Sequence, residues 1–284
     1  MTQWIWFNGE IMPMSEAHVG VEDRGFQFAD GVYEVMHVYN GRVFALKEHF
    51  QRLDNSAKGI ELDFCTKSYG KGGLAGEIDR LIAKSGVKEG MVYLQVTRGV
   101  AARDHVFPKC PPTVLFYVRE LSVEDEAGKT PGIKLLEVED ERWKRCWIKS
   151  IALLPNVLAK NKALAAGADE AVFVDNGIVT ECSTRNIFGV IGGKLVTHPA
   201  GAKVLPGVTR QVVIGLAKDL GIGVEERGWT VQEALSAEEV FVTGTIREVL
   251  WVAWWNKKRI ASKCGGVAMK LHRALREKVR RETL

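Results

Sequence analysis

The sequence contains little cysteine, and its cysteines follow no pattern that would bind zinc or build a disulfide framework. There are five in 284 residues, and no two are spaced as Cys-x-x-Cys. Small disulfide-rich domains usually carry an even number of cysteines, and zinc sites usually show that spacing. We therefore expect no disulfide framework, no metal site and a reducing, cytoplasmic environment.

The sequence also lacks a long apolar run and a strong net charge. No apolar run approaches the roughly 20 residues of a membrane-spanning helix. The first residues, MTQWIWFNGE, lack the blocks of a signal peptide. The formal net charge is only +4, and the densest basic block, residues 270–281, is typical of the solvated face of a helix. We expect binding to neither a membrane nor a nucleic acid.

What the sequence does have is the length and composition of an ordinary soluble enzyme. With 46% hydrophobic and 26% charged residues, it can bury a sizeable core in one large or two medium domains. The acid-rich stretch 119–130 is the best candidate for a linker. We predict a small N-terminal domain over residues 1–120, a linker over 121–130 and a large C-terminal domain over 131–284.

The N-terminal part is predicted to combine strands with two helices on one side, which is a small α+β arrangement. Residues 31–39 (GVYEVMHVY) alternate in polarity, with Tyr33 and His37 on one face and Glu34 on the other. The following Asn40-Gly41 is a strong hairpin signal. The predicted helices are 46–60 and 74–84, and the predicted strands are 4–7, 10–12, 31–39, 42–46, 91–97 and 113–118.

The C-terminal part is predicted to begin with strands and to contain two hairpins. The apolar run 146–148 resembles a strand that ends at Lys149, and Asn176-Gly177 turns a hairpin that ends at Glu181. A lysine and a glutamate at strand ends could meet in a pocket, but their spacing alone favours a solvated lysine and a rim glutamate. The other predicted strands are 133–138, 171–175, 178–181, 186–190, 194–197, 239–243 and 249–255. The predicted helices are 208–220, a short one opened by a capping box at 230–233, and 267–284.

Two segments carry a resemblance to a known family. The segments IKSIALLPNVLAKNKA, which contains Lys149, and VTECSTRNIFGV, which contains Glu181, resemble the signature of the fold type IV pyridoxal-phosphate enzymes. These include D-amino-acid and branched-chain aminotransferases and aminodeoxychorismate lyase. The resemblance is strongest to the D-amino-acid aminotransferases of bacteria and covers nearly the whole chain. It implies an α+β fold with a small N-terminal α/β domain and a larger C-terminal pseudo-barrel α/β domain.

The resemblance also implies how the chain would hold pyridoxal 5′-phosphate. Lys149 would form the Schiff base with the cofactor aldehyde and later move the proton. Glu181 would face the pyridine nitrogen and keep it protonated, so that the ring can accept electrons. The residues matching the family's phosphate site are Arg52, Leu205, Val208, Thr209, Gly244 and Thr245, with His49 supporting Arg52. A helix that opens at Val208 would point its first amides at an anion.

A third constellation would bind the substrate. Arg103 and His105 lie two residues apart, so their side chains point the same way in an extended loop and can hold a carboxylate. The resemblance implies that they work with Tyr33 as a trap for the α-carboxylate. It also implies a homodimer in which this loop reaches the neighbouring subunit's active site, so that the site is shared across the interface.

Two arginines depart from the family pattern of small residues. Arg185 precedes Asn186, and Arg247 follows Gly244-Thr245. Either arginine could point away and pair on the surface. If one faces the pocket instead, it could alter the phosphate contacts or bind a second substrate carboxylate. His37, on the same strand face as Tyr33, is a further candidate for lining the pocket.

We therefore predict a cytoplasmic, homodimeric aminotransferase that uses pyridoxal 5′-phosphate in a ping-pong reaction. The expected donors are D-amino acids such as D-alanine and D-glutamate, and the acceptor is 2-oxoglutarate or pyruvate. The alternatives are a branched-chain L-amino-acid aminotransferase, an (R)-amine transaminase or aminodeoxychorismate lyase. A vitamin B6-binding regulatory protein would be favoured only if Lys149 bound the cofactor and no amino donor reacted with it.

Overall fold

The computed structural model describes residues 3–67, 69, 73–122 and 131–284. The chain divides into two compact units. One comprises Met1–Val123, Ile148–Ala152 and Arg281–Leu284, and the other comprises Glu124–Trp147 and Leu153–Arg280. The segment around Lys149 therefore groups with the N-terminal strands. Most of the predicted linker, 123–130, lies outside the described residues, and the predicted domain boundaries stay a prediction.

The described part of the first unit contains one antiparallel sheet with helices. Its strands are β1 (Trp4–Phe7), β2 (Glu10–Pro13), β3 (Gly31–Tyr39), β4 (Arg42–Val43), β5 (Gly90–Thr97) and β6 (Thr113–Glu120). They lie in the order β2-β1-β6-β5-β3-β4. The helices are α1 (Arg24–Phe28), α2 (Leu46–Gly59) and α3 (Gly73–Ser85), and Met14–Glu16 forms a 3₁₀ turn.

The alternation in β3 explains how this sheet is buried. Val32, Glu34 and Met36 are fully buried on one face, and Tyr33 and His37 on the other face are only partly buried. A strand with period-2 polarity places its apolar set on one face, where the helices can cover it. The central strands and both long helices are confirmed. However, β4 is shorter than predicted, and the five-residue α1 was not predicted.

The described part of the second unit contains a mixed sheet of ten strands. These are β7 (Ile133–Glu139), β8 (Glu170–Asp175), β9 (Ile178–Cys182), β10 (Asn186–Ile191), β11 (Lys194–Thr197), β12 (Val224–Glu226), β13 (Trp229–Thr230), β14 (Glu239–Gly244), β15 (Glu248–Trp255) and β16 (Lys258–Arg259). The order is β12-β11-β10-β14-β15-β7-β8-β9-β13, and β16 pairs with β15. The helices are α4 (Leu154–Ala165), α5 (Val208–Asp219), α6 (Val231–Ser236) and α7 (Gly266–Thr283).

Turn and cap signals predicted the local structure of this unit well. Asn176 and Gly177 both have positive φ between β8 and β9, as a tight hairpin turn requires. The capping box is also present, because Thr230 accepts from the Glu233 amide while the Glu233 carboxylate accepts from the Thr230 amide. The α+β class is confirmed.

The strand predicted over residues 146–148 is wrong, because this run forms turns. The hydrogen bonds after it run to the start of β3 instead: Tyr33 N donates to Lys149 O at 3.0 Å, and Ile151 N donates to Gly31 O at 3.1 Å. These bonds make only an isolated bridge, between Val32 and Ser150. A bridge of this length is set by its partner strand and not by the apolar run before it.

The sequence patterns did not predict α4 or the short strands β12, β13 and β16. Helix α4 has a proline in its first turn and Gly167 with positive φ shortly after its end, and both are usual boundary signals. The three strands have only two or three residues each, too few to show a period. No helix among the described residues combines the length and apolarity needed to cross a membrane.

Candidate active site

Lys149 is held in place within the first unit by its own backbone. Its amide donates to Ser56 Oγ of α2 at 3.0 Å, and its carbonyl accepts from the Tyr33 amide of β3 at 3.0 Å. The side-chain ammonium lies 4.2 Å from the centre of the Tyr33 ring. The structure thus brings together two of the predicted site residues and anchors the lysine to both a strand and a helix.

Arg52 and His49 are organised by Glu34, a residue to which the sequence analysis gave no role. Arg52 donates from Nε and Nη2 to the two Glu34 oxygens at 2.7 Å each, and His49 Nδ1 lies 2.8 Å from Glu34 Oε2. All three side chains are buried. The signal that could have revealed this cluster is a glutamate on the apolar face of β3.

The charges in this cluster are settled by burial and by pairing. Burial raises the pKa of Glu34, but the charge of Arg52 and the hydrogen bonds from Arg52 and His49 outweigh it and hold that pKa at about 2. Burial lowers the pKa of His49 in spite of the Glu34 carboxylate beside it. The cluster therefore presents a fixed guanidinium beside an ionised glutamate and a neutral imidazole.

Arg103 and His105 lie against the same aromatic ring. The Arg103 Cζ atom is 4.9 Å from the Phe28 ring centre, and the His105 ring centre is 5.4 Å from it. Both side chains are exposed. The described contacts join Arg103 with His105 and Tyr33 with Lys149, but they do not join these two pairs. His37 stacks on Tyr39, with ring centres 3.9 Å apart.

In the second unit, three donors hold the buried carboxylate of Glu181 at the end of β9. Arg142 Nη1 donates to Oε1 at 2.5 Å, and Oε2 accepts from Asn186 Nδ2 at 2.9 Å and from the Leu205 amide at 3.2 Å. Burial raises the pKa of Glu181 to about 7, although Arg142 and the Leu205 amide lower it and Asp140 adds to the rise. An additional cation at this position would favour the ionised form.

Arg142 is a residue of this site that the sequence analysis missed. Its guanidinium forms a fork with Asp140, Nε to Oδ1 and Nη2 to Oδ2, both at 2.8 Å. Its Cζ lies 4.2 Å from the centre of the Phe173 ring. Planar two-point pairing of this kind fixes an arginine in space. The available signal was an Asp-x-Arg sequence directly after strand β7.

The predicted phosphate helix begins beside Glu181. Helix α5 starts at Val208 with Gly207 as its N-cap, and no side chain caps this end. Asn186 Nδ2 also donates to Leu205 O at 3.0 Å, and a Cβ on Gly207 would collide with Asn186 Oδ1. Asn186 thereby joins Glu181 to the start of a helix whose first amides have no intrahelical acceptor.

The two arginines that depart from the family pattern have different surroundings. Arg185 Nη1 donates to Glu170, a fully buried carboxylate, and its Cγ would lie 3.3 Å from a Cβ placed on Gly244. Arg185 therefore pairs with a buried acid and not with a surface acid. Arg247 is exposed. Thr245, next to Gly244, is partly buried.

Comparison with known proteins places these geometries in context. The model of the amino-transferase class IV family matches residues 31–255. A D-alanine aminotransferase of Bacillus licheniformis is 38% identical over 281 residues, covering 98% of both chains. One from Listeria monocytogenes is 41% identical over 276 residues, covering 96% of this chain and 94% of the relative. The solved branched-chain amino acid aminotransferase from Escherichia coli superposes with a TM-score of 0.85 at 27% identity, covering 97% of this chain and 93% of that one.

Proposed function

Because the chain belongs to the amino-transferase class IV family, we propose that it transfers amino groups from D-amino acids to keto acids with pyridoxal 5′-phosphate. D-alanine and D-glutamate are the donors, and 2-oxoglutarate or pyruvate is the acceptor. The observation that carries the proposal is the nearly full-length similarity to D-alanine aminotransferases from two genera.

The residues present suit this cofactor chemically. Ionising a buried carboxyl such as Glu181 costs free energy, and a protonated ring nitrogen beside it would recover part of that cost. Arg52, fixed by Glu34, and the uncapped start of α5 are both suited to phosphate oxygens. In this proposal Val208, Thr209, Gly244, Thr245 and Leu205 complete the phosphate site. The cofactor supplies an aldehyde carbon that exchanges amines and a ring that accepts electrons.

Lys149 carries the proton in the proposed reaction. Its Nζ would hold the cofactor in the absence of substrate, and as a free amine it would take up and return the proton of the substrate's α-carbon. The anchoring of its backbone by Ser56 and Tyr33 limits where Nζ can reach. A proton carrier held in this way acts at a fixed distance and angle, which is a large part of what positioning contributes to catalysis.

Glu181 would keep the ring nitrogen of the bound cofactor protonated. Its ionised form is stabilised by Arg142, Asn186 and the Leu205 amide. Because Arg142 is itself held by Asp140, the carboxylate cannot turn away from its position without breaking an ion pair. The donors behind Glu181 thus both orient it and favour the charged state that the reaction needs.

Arg103, His105 and Tyr33 bind the α-carboxylate of the substrate. The first two lie side by side on Phe28 and are exposed, and the contacts of the described residues do not join them to Tyr33. We propose a homodimer in which this exposed loop serves the partner's site. With the carboxylate fixed by this trap, the α-hydrogen of a D-amino acid faces Lys149. His37 is proposed only to line the pocket.

A branched-chain aminotransferase is the second candidate, because a solved structure of that activity shares the fold at 27% identity. The decisive experiment is a panel of D-alanine, D-glutamate, L-leucine and L-valine added to purified holoenzyme. The readout is loss of the absorbance of the imine between the cofactor and its lysine. The proposal expects the D-amino acids to react and the L-amino acids to react poorly. A preference for L-leucine over D-alanine would overturn it and favour the second candidate.

A cytoplasmic location is also proposed, supported by five free cysteines.

A further inference from the structure

We propose that Arg24, Asp30 and Arg98 form a clamp that holds the loop of residues 99–108 in its substrate-binding shape. We call these three residues the arginine clamp. Phe28 lies between Arg24 and Asp30 in the sequence, and the side chains of Arg103 and His105 pack on its ring. The inference rests on the proposed function, because it assigns positioning residues to the proposed carboxylate trap.

The centre of the clamp is a carboxylate shared by two arginines. Asp30 Oδ2 accepts from Arg24 Nε at 2.9 Å and from Arg98 Nε at 2.7 Å, and Oδ1 accepts from Arg98 Nη2 at 3.0 Å. The three side chains are only 4%, 11% and 7% exposed in chain order. Buried charges of this kind are costly to separate, so the group acts as a rigid base.

Arg98 has further partners that fix it in the unit. Its Nη1 donates to Glu61 O at 2.9 Å, and its Nη2 donates to Ile60 O at 2.6 Å. Its Cζ lies 3.7 Å from the centre of the Phe107 ring. Phe107 is half exposed and belongs to the loop. One end of the clamp therefore supports the loop just beyond His105.

Arg24 supports the loop at its middle. Its Nη1 donates to the carbonyl of Asp104, the residue between the two trap side chains. Its Cζ stands 4.7 Å from the Phe28 ring centre. The same ring is contacted by Arg103 and His105, at the distances given above. Phe28 is thus covered by a fixed arginine from the clamp and by two members of the trap, Arg103 and His105.

The base of the loop is also fixed. The Arg24 amide donates to Gly99 O at 2.9 Å, and the Ala101 amide donates to Glu22 O at 3.3 Å. Gly99 has a φ of +103°, and a Cβ there would collide with the carbonyl of Pro111. Within the loop, the Val106 amide donates to Asp104 Oδ1 at 3.1 Å. An exposed loop with this many fixed points is ordered before substrate binds.

The consequence is a binding site that is preorganised for a carboxylate. Ordering flexible side chains when a ligand arrives weakens its binding. Loss of the Phe28 ring or of the arginine clamp should therefore raise the KM for carboxylate substrates. It should leave kcat nearly unchanged, since Lys149 and Glu181 are not altered. That division between KM and kcat separates a positioning role from a general loss of folded protein.

The test uses Phe28→Leu and Arg24→Lys in the holoenzyme. Phe28→Leu removes the ring and keeps an apolar side chain. Arg24→Lys keeps the charge and removes the guanidinium that bridges Asp30 and the Asp104 carbonyl. Phe28→Tyr keeps the ring and is the rescue variant. Phe64→Leu is the matched control, because Phe64 is a partly buried aromatic of the same unit whose ring packs on Tyr69.

Two measurements are made on each variant. The first is hydrogen exchange of the Ala101 and Val106 amides, both hydrogen-bonded in the ordered loop. The second is KM and kcat for D-alanine. In Phe28→Leu and Arg24→Lys we expect about ten-fold faster exchange and a KM raised by about ten-fold, with kcat within about two-fold. Phe28→Tyr and Phe64→Leu should match the wild type in both.

The outcomes separate the inference from the proposed function. Unchanged exchange in both Phe28→Leu and Arg24→Lys would overturn the inference. Faster exchange with an unchanged KM would overturn the positioning role of these residues. If the wild type does not react with D-alanine, the proposed function fails. The exchange rates would still decide whether Arg24 and Phe28 order the loop.

Discussion

Arg142 and Glu181, 39 residues apart in sequence, form a buried ion pair in which Nη1 lies 2.5 Å from Oε1. Both side chains are less than a tenth exposed, and Asp140 holds the far side of the guanidinium. The chain thus places a cation directly behind the carboxylate proposed to face the cofactor ring. A cation there opposes the tendency of burial to protonate Glu181.

The first prediction concerns this pair. Arg142→Gln leaves two carboxylates, Asp140 and Glu181, without their shared cation. Breaking a buried pair in this way costs about 3–5 kcal/mol, so the variant should unfold at lower denaturant concentration. Arg145→Gln, an exposed arginine of the same segment, is the control and should stay within about 0.5 kcal/mol of wild type. Equal stability of the two variants would contradict the structural importance of the pair.

The second prediction follows from the pKa of Glu181. Burial raises it to about 7 from 4.5, so the folded cofactor-free chain binds this proton more tightly than the unfolded chain. The stability it contributes is fully present below about pH 4.5 and is lost as pH rises through about 7. Between about pH 4.5 and 7 the wild type should lose about 3 kcal/mol of its free energy of unfolding as Glu181 ionises, and Glu181→Gln should not show this loss. Denaturant unfolding at a series of pH values measures it, with exposed Glu141→Gln as control.

The same variant tests the chemical role. A neutral amide cannot hold the ring nitrogen protonated, so Glu181→Gln should retain the cofactor but slow turnover strongly. Turnover within about two-fold of wild type, well under 1 kcal/mol of barrier, would argue against that role.

The third prediction identifies the lysine that binds the cofactor. Borohydride treatment of the holoenzyme followed by peptide mass spectrometry should find the phosphopyridoxyl mass on Lys149. Lys160 and Lys162 are internal controls, because they lie nearby in sequence, on α4. Finding the added mass on either of them would refute the assignment.

The fourth prediction concerns a second substrate carboxylate. Arg247 is exposed and follows Gly244 and Thr245, two residues of the proposed phosphate site, so we expect it to distinguish 2-oxoglutarate from pyruvate. Arg185 pairs with buried Glu170. Arg247→Ala should raise the KM for 2-oxoglutarate about ten-fold, the cost of one charge-assisted bond, and should change that for pyruvate little. Arg185→Ala is the comparison and should mainly lower thermal stability. Equal effects of Arg247→Ala on both acceptors would refute the idea.

The fifth prediction concerns stereochemistry and the trap. An arginine supplies charge-assisted bonds of about 1.5–3 kcal/mol to a carboxylate, so Arg103→Ala should cut kcat/KM for D-alanine about ten- to a hundred-fold. (R)-1-phenylethylamine has no carboxylate, so it should be a weak donor for the wild type and lose much less. Steady-state kinetics with both donors measures the difference. A similar loss for both would show that Arg103 does not bind the carboxylate.

Local sequence determined most of the secondary structure of this protein. Period-2 polarity located β3, the Asn-Gly pair located the hairpin of β8 and β9, and the capping box located the start of α6. Each of these signals depends on neighbours within a few residues, so no tertiary information is needed to interpret it. The family could then be identified by resemblance, because motifs such as IKSIALLPNVLAKNKA are contiguous segments of the sequence.

Only the tertiary structure decided which charges meet. Glu34 with Arg52, Arg142 with Glu181, and Asp30 with Arg98 are separated by 18, 39 and 68 residues. The local sequence shows at most that a charge falls on a buried face, as Glu34 does, and it does not show which residue pairs with it. A buried charge is stable only when a partner is brought to it, and that partner is supplied by strands and helices packing from distant parts of the chain. Lys149 is likewise anchored to β3 by hydrogen bonds between distant parts of the chain. The apolar run 146–148 does not reveal these bonds, so a strand was wrongly predicted there.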